Sequence, residues 1–135
     1  MRSPAHDIAL HIAGAGFGTF GGATGWTISV ATEASSPDTT ITVYDTVGEG
    51  PDTDQLDIER QSIQVRVRSG KQSGAYQAAY DKQRAIRAAL INLSGVVMDG
   101  SRYLGIVMMS EILTIGRDDN DRFLMTANYR VIRQT

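Results

Sequence analysis

The sequence predicts one domain of the α+β class, a mostly antiparallel β-sheet with one long helix packed on a face and a short N-terminal helix. The chain has 135 residues, of which 41% are hydrophobic and 21% charged, as in an ordinary globular domain. Several short segments alternate apolar and polar side chains, as strands do, and one long segment has helical spacing. Helices on one face of an antiparallel sheet are the architecture that this mixture favours.

The first part of the chain predicts a helix, two short strands and a long loop. Ser3 is a suitable N-cap and Pro4 suits the first helical position, so a helix begins there and continues to Ala13. Glycines follow and end it. Residues 26–30 and 41–44 are rich in β-branched and aromatic side chains and predict strands. Residues 45–60 are rich in acids, glycine and proline, and predict an extended acidic loop.

The second part predicts a strand, the long helix and a β-rich end. In residues 62–68 the apolar side chains alternate with Gln64, Arg66 and Arg68, which predicts a strand with a core face and a basic face. Residues 75–93 carry apolar side chains at three- and four-residue steps and predict a helix. The remaining predicted elements are a hairpin around Asp99-Gly100 and a final strand at 122–133, with residues 112–115 leading to a turn at 118–121 between them.

The net charge of −2 hides a division of charge along the chain. Residues 1–59 hold nine acids and one base, whereas residues 60–135 hold twelve bases and six acids. Opposite charges in the two parts can pair within one subunit or head-to-tail between copies. The isoelectric point of about 5.6 disfavours a dedicated nucleic-acid binder, which usually has a basic domain.

The sequence offers little chemistry for an enzyme, a cofactor or a metal. It has no cysteine, which excludes disulfides and thiolate ligands. Residues 16–21 match the glycine pattern of dinucleotide sites, but a strand and not a helix follows, so we interpret them as a flexible loop. His6 and His11 lie five apart and face different sides of a helix, and residues 118–121 lack the spacing of a calcium loop. No apolar run is long enough to span a membrane, and the N-terminus lacks a signal-peptide core, so we expect a soluble protein.

Three segments together resemble a family of small proteins of tailed bacteriophages, the minor capsid or tail terminator proteins. They are the turn in residues 41–51, ITVYDTVGEGP, the strand IQVRVR at 63–68 with the helix after it, and the closing pieces YLGI, IGRD, RF and NYRV between 103 and 131. Their order and spacing cover residues 8–133, nearly the whole chain. The glycine- and alanine-rich stretch before Trp26 departs from the family pattern.

The resemblance implies a structural protein of the virion, assembled in the host cytoplasm, with no catalytic, metal or cofactor site. It implies a homo-oligomeric ring, hexameric in this family, that sits on the end of the tail tube, stops tube polymerisation and joins the tail to the head connector. The partners are then the chain itself, the tail tube protein and the neck, with DNA passing through the lumen without sequence-specific binding and no membrane contact. The residues expected at subunit or partner contacts are Arg66, Arg68, Arg84, Arg87, Asp52, Asp54 and Asp57.

Three alternatives stay open at the level of the sequence. A head-completion or other neck protein belongs to the same class and differs in binding the portal side. A small nucleotide-binding domain would use the Gly16–Gly21 loop. A standalone nucleic-acid binder would show strongly salt-dependent affinity for DNA, and the acidic isoelectric point weighs against it.

Overall fold

A computed structural model describes residues 1–49 and 57–135. The described residues form two helices and an eight-stranded sheet. The helices are α1 (Pro4–Gly14) and α2 (Ala75–Ile91). The strands are β1 (Thr19–Phe20), β2 (Thr27–Val30), β3 (Thr40–Glu49), β4 (Ile58–Arg68), β5 (Val96–Met98), β6 (Ser101–Met108), β7 (Leu113–Arg117) and β8 (Phe123–Gln134). The α+β prediction is therefore confirmed, as are the two helices and their order.

The sheet is built around the antiparallel pair β4 and β8. Its strand order is β1-β2-β3-β4-β8-β6-β5, and β7 pairs with the first part of β8, on the edge whose later part pairs with β6. The β1–β2 and β2–β3 pairs are parallel, and the other pairs are antiparallel. The sequence did not predict β1, because two residues are too short to show an alternation.

Both helices cover the same face of this sheet. Val43, Val65 and Ala127 lie side by side in the pairing register and are fully buried. They belong to one apolar cluster with Ile8 and Ile86, which come from α1 and α2. We call this the helix face. No described helix covers the opposite face, which we call the open face.

The first helix begins as its sequence predicts. Ser3 accepts a hydrogen bond from the backbone N–H of His6, and Pro4 occupies the first turn, where its missing N–H costs nothing. The helix α2 is preceded by Gly74 at the N-cap position, whose φ of 86° is readily adopted by glycine. Each helix therefore starts at the residue that local chemistry favours.

The expected loop at residues 45–60 is shorter than predicted. The strand β3 continues to Glu49 and β4 begins at Ile58, with Asp45 opposite Ile63 and Glu49 opposite Arg60. The arms extend because antiparallel pairing satisfies backbone groups whether or not the side chains are buried, and Val47 is 93% exposed. The middle of the predicted loop, including Asp52 and Asp54, lies outside the described residues.

Candidate interaction surfaces

Polar side chains run in rows across the open face of the sheet. Thr42, Arg66 and Thr126 lie opposite one another in the register of β3, β4 and β8, and Gln64 and Asn128 lie in the next row. The Gln64 Nε2 donates a hydrogen bond of 3.2 Å to Asn128 Oδ1. The open face is polar, but some of its side chains do not contact solvent, because Thr42 and Thr126 are nearly inaccessible.

Arg66 and Arg68 both lie on the open face, as predicted, but their surroundings differ. The Arg66 guanidinium lies 3.1 Å from Glu33 and its side chain is 30% exposed. Arg68 is 1% exposed. It donates to the backbone oxygens of Pro37 (2.8 Å) and Asp38 (3.0 Å) and to Glu33 (3.2 Å). Burial lowers the pKa of Arg68, with the charge of Arg122 as a further cause and Glu33 acting against the shift.

The expectation that Arg68 makes a charged contact on the subunit surface therefore needs correction. Its donors are engaged by the loop between β2 and β3, and this loop folds back over the end of β4. Alternation along a strand predicts the face of a side chain and says nothing of a loop that covers it. Arg68 fastens this loop to the sheet, and Arg66 is the member of the pair that stays accessible.

A second buried arginine, Arg122, fastens the same loop and was not predicted. It donates to the backbone oxygen of Ser35 (2.7 Å) and to the Asp118 carboxylate (2.8 Å). Asp118 also accepts from the backbone N–H groups of Asn120 and Arg122, as a side chain does in a tight turn. Although burial acts in the opposite direction, these hydrogen bonds lower the pKa of Asp118. The predicted turn at 118–121 is confirmed, and the Asp118 carboxylate is used within it.

Arg84 and Arg87 lie on α2, on the far side of the sheet from Arg66. Arg87 pairs with Glu111 at 3.2 Å, and that carboxylate is 83% exposed. Arg84 is exposed and lies against Tyr80, with its Nη1 3.4 Å from the hydroxyl. Because α2 covers the helix face, these two arginines do not form one basic stripe with Arg66 and Arg68.

Asp57 is the acidic candidate that lies within the described residues. Its carboxylate accepts a 2.8 Å hydrogen bond from Gln134 Nε2, and its backbone oxygen accepts from Thr135. Asp57 therefore ties the end of the chain to the start of β4. Its side chain remains exposed, because the bond to Gln134 is at the surface.

The glycine-rich segment does not have the architecture of a nucleotide site. The strand β1 lies within it and the next element along the chain is the strand β2, whereas a dinucleotide site has a helix that begins directly after the loop. The amine of Lys82, from α2, donates to the Phe17 backbone oxygen (3.1 Å) and lies 4.9 Å from the Trp26 ring centre. Desolvation lowers the pKa of Lys82. Gly18 is required here, since a Cβ would lie 2.6 Å from the Trp26 oxygen.

A buried polar network joins the two ends of the chain and was also not predicted. Asp7, in α1, is fully buried and accepts hydrogen bonds from Arg2 Nε (2.7 Å) and the Tyr103 hydroxyl. Arg133, near the end of β8, donates to Tyr103, to the Arg2 backbone oxygen and to Glu59. Burial, together with the bond to Asp7, strongly raises the pKa of Tyr103. The sequence identifies Asp7 only as an acidic residue in the first turn of a helix, where a negative charge is favourable.

An exposed apolar strip follows the edge formed by β6 and β7. Val107 lies opposite Arg130, and Leu113 lies opposite Thr126, both on the open face. Met109 contacts Ser62 on the same face. These side chains and Ile115 are each about half exposed, at 54% for Val107, 50% for Met109, 58% for Leu113 and 52% for Ile115. Contiguous exposed apolar side chains of this kind are typical of protein contacts.

Comparisons with known proteins agree with the fold. The family profile described as bacteriophage tail terminator protein matches residues 11–135. Among solved structures, a chain from the virion of a native gene transfer agent particle superposes with a TM-score of 0.61 at 12% identity, over 80% of this chain and 78% of that one. No curated protein sequence matches the chain significantly.

The family match covers nearly the whole chain and includes the sheet, α2 and the last turn of α1. It also includes Arg68 and Arg122, the two buried arginines that hold the loop between β2 and β3. None of the helices in the described residues is long and apolar enough to cross a membrane. The chain is a structural component of the virion tail, and it belongs to the family of bacteriophage tail terminator proteins.

Proposed function

We propose that this chain forms a ring, of six subunits as the family resemblance implies, on the end of the tail tube. There it stops addition of further tube subunits and presents a surface to the head connector, while DNA passes through the lumen without base-specific contacts. The observation that carries the proposal is the match to the tail terminator family along residues 11–135.

The architecture of the subunit supports a head-to-tail contact. The sheet ends in β1 on one side and in β5 on the other, and each of these strands has one sheet neighbour among the described residues. Opposite edges of one subunit are different surfaces, so their pairing is heterologous and closes into a ring when the rotation permits. The open face adds polar side chains that no described helix covers, among them the partly exposed Arg66.

Charge complementarity supplies the second support. The connection between β3 and β4 carries acids, among them Asp52, Asp54 and Asp57. Arg84 is exposed on α2 and Arg66 is accessible on the open face. We assign these two arginines, together with Arg87 and its surface pair to Glu111, as the basic side of the contacts between neighbours. Arg68 is buried and engaged within the subunit.

The test compares the mass of the assembly in low salt for the wild-type chain and for charge-reversed variants. Arg66→Glu with Arg84→Glu should lower the ring-sized mass, measured by light scattering in the presence of tail tube protein. Lys71→Glu is the matched control, because Lys71 is exposed in the loop before α2. An unchanged mass in the double variant would overturn the assignment of these arginines.

A second experiment tests the place of the ring and not its contacts. Purified chain is mixed with tail tubes and separately with the portal side of the neck. Retention on the tubes supports a terminator. Retention on the portal side alone supports a head-completion protein and overturns the proposal.

A further inference from the structure

Arg66 is held on the open face by charge and not by hydrogen bonds. Its Nε lies 3.1 Å from Glu33 Oε2, yet both atoms are buried and neither makes a hydrogen bond. No other donor of Arg66 makes a hydrogen bond within the described residues, and the side chain is 30% exposed. A guanidinium has five donors whose arrangement matches a carboxylate, so Arg66 retains the capacity to bind one.

The Tyr44 hydroxyl is a second donor beside Arg66. Tyr44 lies opposite Gln64 in the register of β3 and β4, so it shares the open face with Arg66 and is its diagonal neighbour. The hydroxyl makes no hydrogen bond among the described residues, and the side chain is partly buried. Burial raises the pKa of Tyr44, with the charge of Glu33 as a further cause, so the hydroxyl stays protonated at neutral pH and can donate.

Glu33 lies beside Arg66 but is held by other residues. Its Oε1 accepts a hydrogen bond of 3.2 Å from Arg68, and Arg68 and Arg122 fix the loop that carries it. The carboxylate therefore stays near Arg66 whether or not another acid approaches. Its negative charge attracts Arg66 and repels a second carboxylate at the same place.

The connection between β3 and β4 carries the complementary charge. Residues 50–56, GPDTDQL, contain Asp52 and Asp54 and no base. Arg66 lies nine residues after Asp57 along β4, a distance of about 30 Å. Asp54 lies three residues before Asp57 and reaches at most about 11 Å from it. The remaining distance of about 19 Å is more than the two side chains span, so Asp54 can meet only the Arg66 of another copy.

We propose that Arg66 and Tyr44 bind Asp54 of a second copy, and that Glu33 is an internal competitor that keeps this contact weak in the free subunit. The contact rests on the proposed ring, because it assigns the two sides of the head-to-tail contact between neighbours. It joins the connection between β3 and β4 of one copy to the open face of the next, which are different surfaces, as a closed ring requires.

The absence of cysteine from the chain allows this contact to be trapped as a disulfide. One chain carries Thr53→Cys, between the two acids, and a second carries Gln64→Cys, on the open face beside Arg66. Mixed in low salt with a mild oxidant, they should form a covalent heterodimer several-fold faster than Thr53→Cys does with Lys71→Cys. Lys71 is the matched control, because it is more exposed than Gln64 and lies in the loop before α2. Equal rates for the two mixtures would overturn the proposal.

The competing role of Glu33 is tested in the same assay. In Glu33→Gln the amide oxygen can still accept from Arg68 while the competing charge is gone, so trapping should become about two- to fivefold faster. Arg66→Gln and Tyr44→Phe should each slow it. Asp119→Asn removes an exposed acid elsewhere and should leave the rate unchanged. A rate in Glu33→Gln no higher than in the parent chain would overturn the competing role, provided that circular dichroism shows the variant to be folded.

The partner residue and the proposed function are tested separately. Asp54→Asn in the Thr53→Cys chain should slow trapping to the rate of the Lys71→Cys control, and an unchanged rate would overturn the choice of Asp54. Binding of the wild-type chain to tail tubes is measured in parallel. Retention on tubes without preferential trapping overturns this contact alone, whereas preferential trapping without retention counts against the proposed function alone.

Discussion

Arg68→Ala should destabilise the subunit far more than Arg66→Ala, although the two residues are neighbours on one face of β4. Arg68 is 1% exposed and donates to two backbone oxygens and to Glu33. Removing one partner of a buried ionic network costs about 3–5 kcal/mol. We expect the lower end, about 3 kcal/mol, because Glu33 keeps its pair with Arg66. Arg66 is 30% exposed in a single ion pair, which contributes at most about 1 kcal/mol.

The assay is urea denaturation at low protein concentration, followed by the fluorescence of the single tryptophan, Trp26. For a chain of this length about 3 kcal/mol corresponds to a fall in Tm of roughly 10 °C. The dependence of the unfolding free energy on urea should stay the same, which indicates that the folded state remains compact. If Arg68→Ala and Arg66→Ala lower the free energy of unfolding by the same amount, the fastening role of Arg68 is refuted.

Three further variants test the buried polar groups. The pKa of Asp118 is lowered in the folded state, so the carboxylate stabilises the fold above the ordinary pKa of 3.8, and this stabilisation is lost as the pH falls through the lowered value. In Asp118→Asn the free energy of unfolding should therefore fall less steeply at acidic pH. The same pH dependence in the variant and the wild type would contradict this. Tyr103→Phe should lower the free energy of unfolding, measured by urea denaturation, by about 1.5–3 kcal/mol, because buried Asp7 loses the hydroxyl that donates to it. A loss below about 0.5 kcal/mol would show that this hydrogen bond is dispensable. Gln83 donates to two buried backbone oxygens, and a carboxyl group in its place can donate only when it is protonated. Gln83→Glu should therefore lower the free energy of unfolding by about 3 kcal/mol or more at pH 7, and by less at pH 5. A loss that does not depend on pH would refute this.

The elements with strong periodicity could be predicted from the sequence. The alternation of Ile63, Val65 and Val67 identified β4 and its buried face, and the helical spacing after Gly74 identified α2 within two residues of its end. The Asp99-Gly100 pair identified the hairpin of β5 and β6. These features depend on neighbours in the chain, so the sequence expresses them directly.

The features that could not be predicted depend on residues far apart in the chain. Asp7 is buried because Tyr103, 96 residues later, comes to lie beside it. Arg68 is covered by a loop 31 residues earlier, and nothing in the alternation of its own strand indicates this. The outer arms of β3 and β4 were interpreted as loop because they carry few apolar side chains, yet their pairing needs only the backbone.

The candidate contacts divide in the same way. Sequence charge selected Arg66, Arg84 and Arg87, which the fold leaves accessible in whole or in part. It also selected Arg68, because charge along a chain does not distinguish a side chain that holds a loop to the sheet from one that meets a partner. Asp52 and Asp54 remain proposed contacts outside the described residues.

The most direct test of the central claim is the length of tails assembled with and without this chain, measured by electron microscopy of negatively stained particles. If the chain halts the tube by capping its tip, tubes assembled in its absence should have variable and excessive length and carry no heads. Supplying the purified chain should then restore normal tails. Tubes of normal length joined to heads in its absence would contradict the account.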